Sequence, residues 1–366
     1  MSKHKKNIAF ILAGLNAGGT ENYLLRFLKY YSEEIEATVY CKSGKLGELQ
    51  EEYVALGVKL IPMHVGFYNI LEFLRLRKEF RSHHYDSVCD LTGSFAAIPL
   101  LLAKTAGIKK RVAFFRNSQE KFQKSFLKSS YNNFITIILP RVATKVLSNS
   151  QSALNHFYGE SWKKDYKFEV VYNGIDSQNF TTEEENIRKE LNLPEDAFVV
   201  GHVGRFNDQK NHKTAIEVAI ELCVEYKDIY FIFCGKNVDM AYEDKIKEIG
   251  LSDKIKLLGV RRDIGKLLKS MDCFYFPSTI EGQPNALIEA LICGLPFVAS
   301  DIEPIKETIP KQFYKQLVPP TDIQEAKRKI LELRSDICLR KELDLSSWAI
   351  QHFHPAKWFG LFYKEL

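Results

Sequence analysis

No two glycines in this sequence are separated by a single residue. The G-x-G-x-x-G turn that seats a dinucleotide pyrophosphate is therefore missing, which argues against a nicotinamide- or flavin-dependent oxidoreductase. Neither G-x-x-x-x-G-K-[ST] nor H-E-x-x-H occurs, so there is no Walker-type phosphate loop and no zinc-protease helix. D-x-D is absent as well. A diphosphate bound by this chain must be met by helix ends and basic side chains rather than by a metal held between paired carboxylates. Seven cysteines (Cys41, Cys89, Cys223, Cys234, Cys273, Cys293 and Cys338) contain no C-x-x-C pair. An odd, unpatterned set argues against a disulfide framework and a structural zinc site, and predicts reduced core thiols of a cytoplasmic protein. The nine histidines are dispersed with no metal-ligand spacing. No apolar run approaches the ~20 residues of a membrane span, and the longest, "FAAIPLLLA", is broken by Pro99 and closed by Lys104. The basic start runs into a short apolar segment and a Gly-rich loop, unlike a signal peptide.

What is present is ordinary in bulk and ordered in detail. With 366 residues, 45% hydrophobic and 27% charged, the chain has the length of two globular domains. A net charge of +5 is too mild to imply nucleic acid. Short β-rich runs alternate with helical patterns from "NIAFILAG" to "YKQLVPP", which predicts βα units and parallel sheets. The polar, turn-rich stretch "NGIDSQNFTTEEENIRKELNLPED" places the domain junction. The expectation is an α/β chain of two Rossmann-like, doubly wound domains facing across a cleft. Residues 1–172 form the first domain and 173–351 the second, with a C-terminal helix over 352–366 returning to the first. Ligands of such sheets bind beyond the carboxyl ends of the strands.

"EGQPNALIEA", Glu281 to Ala290, puts two carboxylates around the start of an apolar helix. Pro284 suits a first helical turn, and Gly294 with Pro296 ends the helix. A helix opening after the strand "CFYFP" presents free N–H groups to an anion, and Gly282 permits close approach of backbone to ligand. A fixed carboxylate accepts two neighbouring sugar hydroxyls, which is a use for Glu281 and Glu289. A second reading stays open: Asn285, Glu289 and Cys293, at i, i+4 and i+8, make Glu289 part of the wet stripe of an amphipathic helix.

The full context, "PSTIEGQPNALIEALICGLP", resembles the E-x7-E region of family-four retaining glycosyltransferases of the GT-B fold. The likeness extends along most of the chain. "AGLNAGGTEN", "LSNS", "VYNGID", "GHVGRFNDQKNH" and "LVPP" follow in the family's order. The resemblance implies that Glu281 contacts donor-sugar hydroxyls and Glu289 the ribose. It assigns Arg205 and Lys210 to the diphosphate, where fixed cations stabilise a departing anion. Gly282, Gln283, Pro284 and Asn285 would line the same donor site, and the backbone at Leu258 and Gly259 would meet the base. No metal or other cofactor is expected, only a nucleotide-sugar co-substrate. Many members carry a His after the fourth strand; this chain has "SVCDLTGS" there and no His.

Other positions keep two readings. Gly18 and Gly19 either let a donor phosphate or an acceptor approach, or form a common βα turn ahead of a helix capped by Thr20. Asp90, with Thr92 beside it, either orients or deprotonates an acceptor hydroxyl, or caps the following helix. Arg116 and Asn117 end the next strand and are acceptor-side candidates. Between Lys104 and Lys145 there are ten Lys or Arg and one acid, Glu120. Within that stretch, residues 120–139 predict a basic, aromatic amphipathic helix. It would lie on an anionic membrane, line the cleft for an acceptor bearing lipid phosphate, or be a core helix with solvated lysines.

The resemblance implies a retaining hexosyltransferase, and the missing D-x-D a metal-independent one. It would act on a uridine or guanosine diphosphate sugar and a saccharide or lipid-linked saccharide, in bacterial surface-polysaccharide assembly on the cytoplasmic face of the membrane. Two alternatives are a nucleotide-sugar epimerase of the same fold and a non-catalytic nucleotide-sugar-binding protein.

Overall fold

The computed structural model describes residues 5–66, 69–116, 126–181 and 186–366, with the side chains of all but 126–132, 179 and 181. The chain divides into two compact units: residues 1–174 with 356–366, and residues 175–355.

The first unit holds β1 (Lys6–Leu12), β2 (Ile35–Cys41), β3 (Lys59–Pro62), β4 (Ser87–Asp90), β5 (Lys110–Phe115), β6 (Lys145–Ser148) and β7 (Phe168–Val170). They form one parallel sheet in the order β3-β2-β1-β4-β5-β6-β7. Side chains on β1 alternate between two cores. Ile8, Phe10 and Leu12 join Tyr23, Leu24 and Phe27 of the helix Gly19–Tyr30 on one face. Ala9 and Ile11 join Leu76, Phe80, Leu100, Ala103, Ile135 and Leu139 on the other. A strand buried on both sides reads as a continuous apolar run, as "IAFIL" does. Right-handed crossovers explain the split. Moving outward from β1 to β2 lays Gly19–Tyr30 on one face. Returning to β4 and continuing to β6 lays the helices Ile70–Ser82, Ala97–Thr105 and Phe126–Val142 on the opposite face.

The chain's last helix, Pro355–Glu365, completes the first core. Phe362 packs on Phe27 with ring centroids 4.6 Å apart and on Phe114 at 5.1 Å, while Phe359 meets Tyr23 at 5.6 Å.

The second unit holds β8 (Phe198–Val203), β9 (Ile229–Cys234), β10 (Ile255–Leu257), β11 (Cys273–Phe276), β12 (Phe297–Ser300) and β13 (Leu317–Val318). The order is β10-β9-β8-β11-β12-β13, all parallel. The two sheets repeat one plan: the order reverses beside the first strand of each. The expected strand over "YKQLVPP" shrinks to Leu317–Val318, preceded by a 3₁₀ turn at Lys311–Gln316. It is an edge strand, and Pro319 and Pro320 have no N–H with which to extend the pairing.

Two local expectations change. The helix predicted to be capped by Thr20 begins at Gly19, with Gly18 at the cap and no side-chain cap bond. None of the cysteines is bridged; five are buried, Cys293 is half-buried and Cys338 is exposed.

Phe362→Ala is expected to destabilise the first unit by about 3–5 kcal/mol, since a buried ring leaves a cavity beside Tyr23, Phe27 and Phe114. Urea unfolding followed by amide exchange on β1 measures this; a change confined to the C-terminal helix would contradict it.

Candidate active site

The order of each sheet reverses between β1 and β4 and between β8 and β11. At such points successive loops depart to opposite faces and leave a crevice beyond the strand ends. Gly18, Gly19, Asp90 and Thr92 lie at the first of these places and Arg205, Lys210 and Glu281 at the second, while Arg116 follows β5 and Leu258 and Gly259 follow β10.

In the second unit, β8 runs out into Gly204 and Arg205, and β11 into the loop that carries Glu281. Lys210 lies in a 3₁₀ turn, Asp208–Lys210, opened by Asn207, whose side chain accepts from the Lys210 N–H at 2.9 Å. Lys210 Nζ donates to Glu281 Oε1 at 2.6 Å and rides 4.7 Å over the Phe276 ring. The Lys210 and Glu281 side chains are 20% and 10% exposed, enough for a ligand to reach the pair. Three hydrogen bonds hold the loops in register: Thr279 N–H donates to the Gln209 carbonyl at 2.8 Å, and the Asn211 side-chain Nδ2 donates to the Pro277 and Pro320 carbonyls. Arg205 stands exposed on the same loop as Lys210, one residue past Gly204.

The helix after this loop is Asn285–Ile292, with Pro284 at its cap rather than inside its first turn. No side chain caps it and its first turn carries no acid, so its positive end faces the loop of Glu281 and Gly282. Gln283 is buried. Asn285, Ala286 and Glu289 are half-buried on a helix whose other residues are buried, and Cys293, just past its end, is half-buried too.

Loops after β8, β9 and β10 press together. A Cβ on Gly235 would lie 2.1 Å from the Gly204 carbonyl oxygen, and Gly235 N–H donates to the Gly259 carbonyl at 2.7 Å. Gly259 has φ +58°, and Leu258 N–H is tied to the Phe233 carbonyl. Sequence reasoning missed Gly235, although a glycine directly after "FIFC" was a usable signal. It also missed His212 and Asn211. His212 Nε2 donates to the Gly204 carbonyl at 3.1 Å, and His202 Nδ1 donates to the Tyr275 carbonyl at 3.0 Å. The two rings meet edge to face at 4.9 Å. Burial, with the Lys210 cation adding to it, pushes His212 down to about 4, and burial together with His212 drives His202 well below the ordinary histidine value. Both are neutral at pH 7 and brace the loop that carries Arg205 and Lys210.

In the first unit, Asp90 ends β4 fully buried. One oxygen accepts from the Thr92 N–H and hydroxyl at 2.8 and 2.6 Å, and the other pairs with Lys42 Nζ at 2.8 Å. Lys42 also donates to Thr92 Oγ1 and the Phe95 carbonyl, so its ammonium group is directed inward. Lys42, just past β2, was not legible because its partner is 48 residues away. Beside this network a cavity of about 250 Å³ is walled by Val65, Phe73, Phe95, Ile98 and Pro99.

Arg116 follows β5 and is 7% exposed, stacked 3.8 Å from the centroid of the Tyr23 ring. Among the described residues its Nε and Nη1 have no partner, and neither has Oδ1 of Asn149, which follows the neighbouring β6. Burial pulls the guanidinium down to about 10, so it stays charged. Gly18 and Gly19 lie after β1, and nothing stands within 4 Å of where a Gly19 Cβ would be. Asn117 lies outside the described residues, as do 120–125 of the basic stretch. Among the described residues no group of three or more His, Cys, Asp or Glu is placed to hold a metal ion.

Residues 183–345 match the family described as "Glycosyl transferases group 1", and residues 17–179 match "Glycosyltransferase Family 4". This chain belongs to the family-four glycosyltransferases. The capsular polysaccharide biosynthesis glycosyltransferase CapH of Staphylococcus aureus is 28% identical, over 88% of this chain and 90% of that one. The UDP-Gal:alpha-D-GlcNAc-diphosphoundecaprenol alpha-1,3-galactosyltransferase of Escherichia coli is 25% identical, over 92% of this chain and 90% of that one. Among solved structures, Anabaena HepE in complex with UDP and glucose superimposes with a TM-score of 0.82 at 20% identity, covering 98% of each chain. The fold of this glycosyltransferase is therefore GT-B, in agreement with the sequence reading.

Two outcomes test the site's construction. His212 binds its proton more weakly folded than unfolded, so its contribution is full above pH ~6.5 and is lost as pH falls towards 4. Melting followed from pH 7.5 to pH 4 should show a loss worth about 3 kcal/mol that His212→Asn flattens; an unchanged slope in the variant contradicts the role. Lys42→Met leaves the Asp90 carboxylate buried without a cation and should cost the first unit about 3–5 kcal/mol. The double variant Lys42→Met/Asp90→Asn should recover a large part of that loss in urea titration.

Proposed function

We propose that this glycosyltransferase moves a hexose, with retention, from a nucleoside diphosphate sugar to a saccharide or lipid-linked saccharide in surface-polysaccharide assembly. The observation that carries the reading is the half-open Lys210–Glu281 pair at the β8/β11 reversal, beside Arg205 and an uncapped helix end. The donor side is the second unit. Glu281 accepts sugar hydroxyls, and Lys210, which has two N–H bonds left beyond Glu281, turns them to the diphosphate with Arg205. Gly282, Gln283, Pro284 and Asn285 shape the helix end, Glu289 takes the ribose, and Leu258 and Gly259 meet the base. Gly18 and Gly19 leave backbone open to an anion in the first unit.

The chemical step breaks the bond between the anomeric carbon and the diphosphate oxygen, and the electron pair leaves with that oxygen. Lys210, Arg205 and the helix end neutralise it, which is the role a metal plays elsewhere. The acceptor hydroxyl attacks from the face the diphosphate leaves, and its proton passes to a leaving-group oxygen. No protein nucleophile takes part. Asp90, Thr92, Arg116 and Asn117 are proposed for the acceptor side, with Lys42 fixing Asp90 and the Arg116 guanidinium suited to an acceptor phosphate. A uridine donor is supported by the UDP held in HepE and by the UDP-Gal named for the Escherichia coli relative. The diphosphoundecaprenol in that relative's name supports a lipid-linked acceptor, and the basic stretch 120–139 supports contact with an anionic membrane surface from the cytoplasmic side.

Glu281→Ala and Arg205→Ala should each lower transfer from a UDP-sugar by about 10²–10³ with melting unchanged. Near-normal rates in both would defeat the assignment. Labelled donor that epimerises with no acceptor present would favour the epimerase reading instead.

A further inference from the structure

Three parallel helices cover the second face of the first sheet. Ile70–Ser82, Ala97–Thr105 and Phe126–Val142 follow β3, β4 and β5 and all descend from the carboxyl edge. They pack side by side, and Arg77 Nε and Nη2 tie the first to Thr105 of the second at 3.0 and 3.3 Å. Their inner sides fill the core. Their outer sides are unusual. Ile70, Leu71 and Leu74 are 70%, 77% and 55% exposed, and Phe134 and Ile137 are 56% and 59% exposed, with Leu101 between them in the middle helix.

The exposed charges on the described part of this layer are Arg75, Lys78, Arg81, Lys104 and Arg141, and all are basic. The two acids of the first helix are turned aside. Glu72 accepts from Gly66 N–H and His64 Nδ1, and Glu79 is half-buried against His83. Arg81, Lys104 and Arg141 are each the last residue but one of their helix. The helix dipole accounts for a cation in a last turn. It does not account for Arg75 and Lys78 at mid-helix, nor for six bare apolar side chains above the basic row. The outer face therefore reads as an apolar band nearer the sheet's carboxyl edge and a basic belt below it. Phe73 and Ile98, from two of the same helices, wall the cavity beside Lys42 and Asp90, so the layer reaches the reacting edge of the sheet.

We infer that this three-helix face docks on an anionic bilayer, with Ile70, Leu71, Leu74, Phe134 and Ile137 entering the headgroup layer and the basic belt meeting lipid phosphates. Charge decides the occupant, since an apolar surface whose exposed charges among the described residues are all cations is matched by a negatively charged, partly apolar one. The inference rests on the proposed membrane contact and moves it onto a helix, Ile70–Ser82, outside the basic stretch of the sequence.

The test is flotation of the full chain with vesicles of phosphatidylcholine alone and with about 30 mol % phosphatidylglycerol added. Binding should require the anionic lipid and weaken with salt. Leu71→Ser/Leu74→Ser should reduce binding about tenfold, and Arg75→Glu/Lys78→Glu about a hundredfold. UDP-induced melting shifts should be the same in all three proteins. Wild-type protein that ignores anionic vesicles would overturn both this inference and the membrane contact beneath it. Wild type that binds while both double variants bind equally well would overturn this inference alone and return the contact to 120–139.

Discussion

The reversal of strand order governs this protein. In a parallel sheet with right-handed crossovers, chain growth in one direction puts helices on one face, and growth in the other direction puts them on the opposite face. Only where the direction changes do the strand ends stay uncovered. Asp90 and the Gly18–Gly19 loop flank that point in the first unit. Arg205, Lys210 and Glu281 flank it in the second. Side chains 71 positions apart, such as Lys210 and Glu281, are brought within 2.6 Å by this topology alone.

Electrostatics separate the two places. Lys210 and Glu281 neutralise each other while still accessible, a state that costs little in water and yields readily to a ligand offering hydroxyls and phosphate. Asp90 and Lys42 are closed on themselves, and removing either partner strands a buried charge. Beneath the Lys210 loop, His202 and His212 are neutral because they are buried, so His212 braces the Gly204 carbonyl and His202 the Tyr275 carbonyl without adding a competing cation. Arg116 is the opposite case: a buried cation lying on the Tyr23 ring, with two donors that find no partner among the described residues.

The two faces of the first sheet are finished differently. One is sealed by the chain's own last helix, whose Phe359 and Phe362 lock into Tyr23, Phe27 and Phe114. The other carries a helix layer whose outer surface is apolar and basic. A domain that had only to fold would have no use for exposed Leu71 and Leu74.

Alternation of apolar and helical segments was enough to establish two parallel α/β halves, because hydrophobic periodicity is a local property of the chain. The E-x7-E stretch and "GHVGRFNDQKNH" were equally legible, since a loop that must present backbone to a ligand needs glycine and proline at set places. Partnerships were not legible. Nothing local to Lys42 announces Asp90, nothing in "NH" announces that His212 holds the Gly204 carbonyl, and the exposed side of Ile70–Ser82 resembles a buried one until its neighbours are known. Sequence determined which elements form and where their ends offer chemistry. Tertiary structure decided which charges neutralise which and which apolar faces stay bare, because both depend on groups brought together only by the order of strands in the sheet.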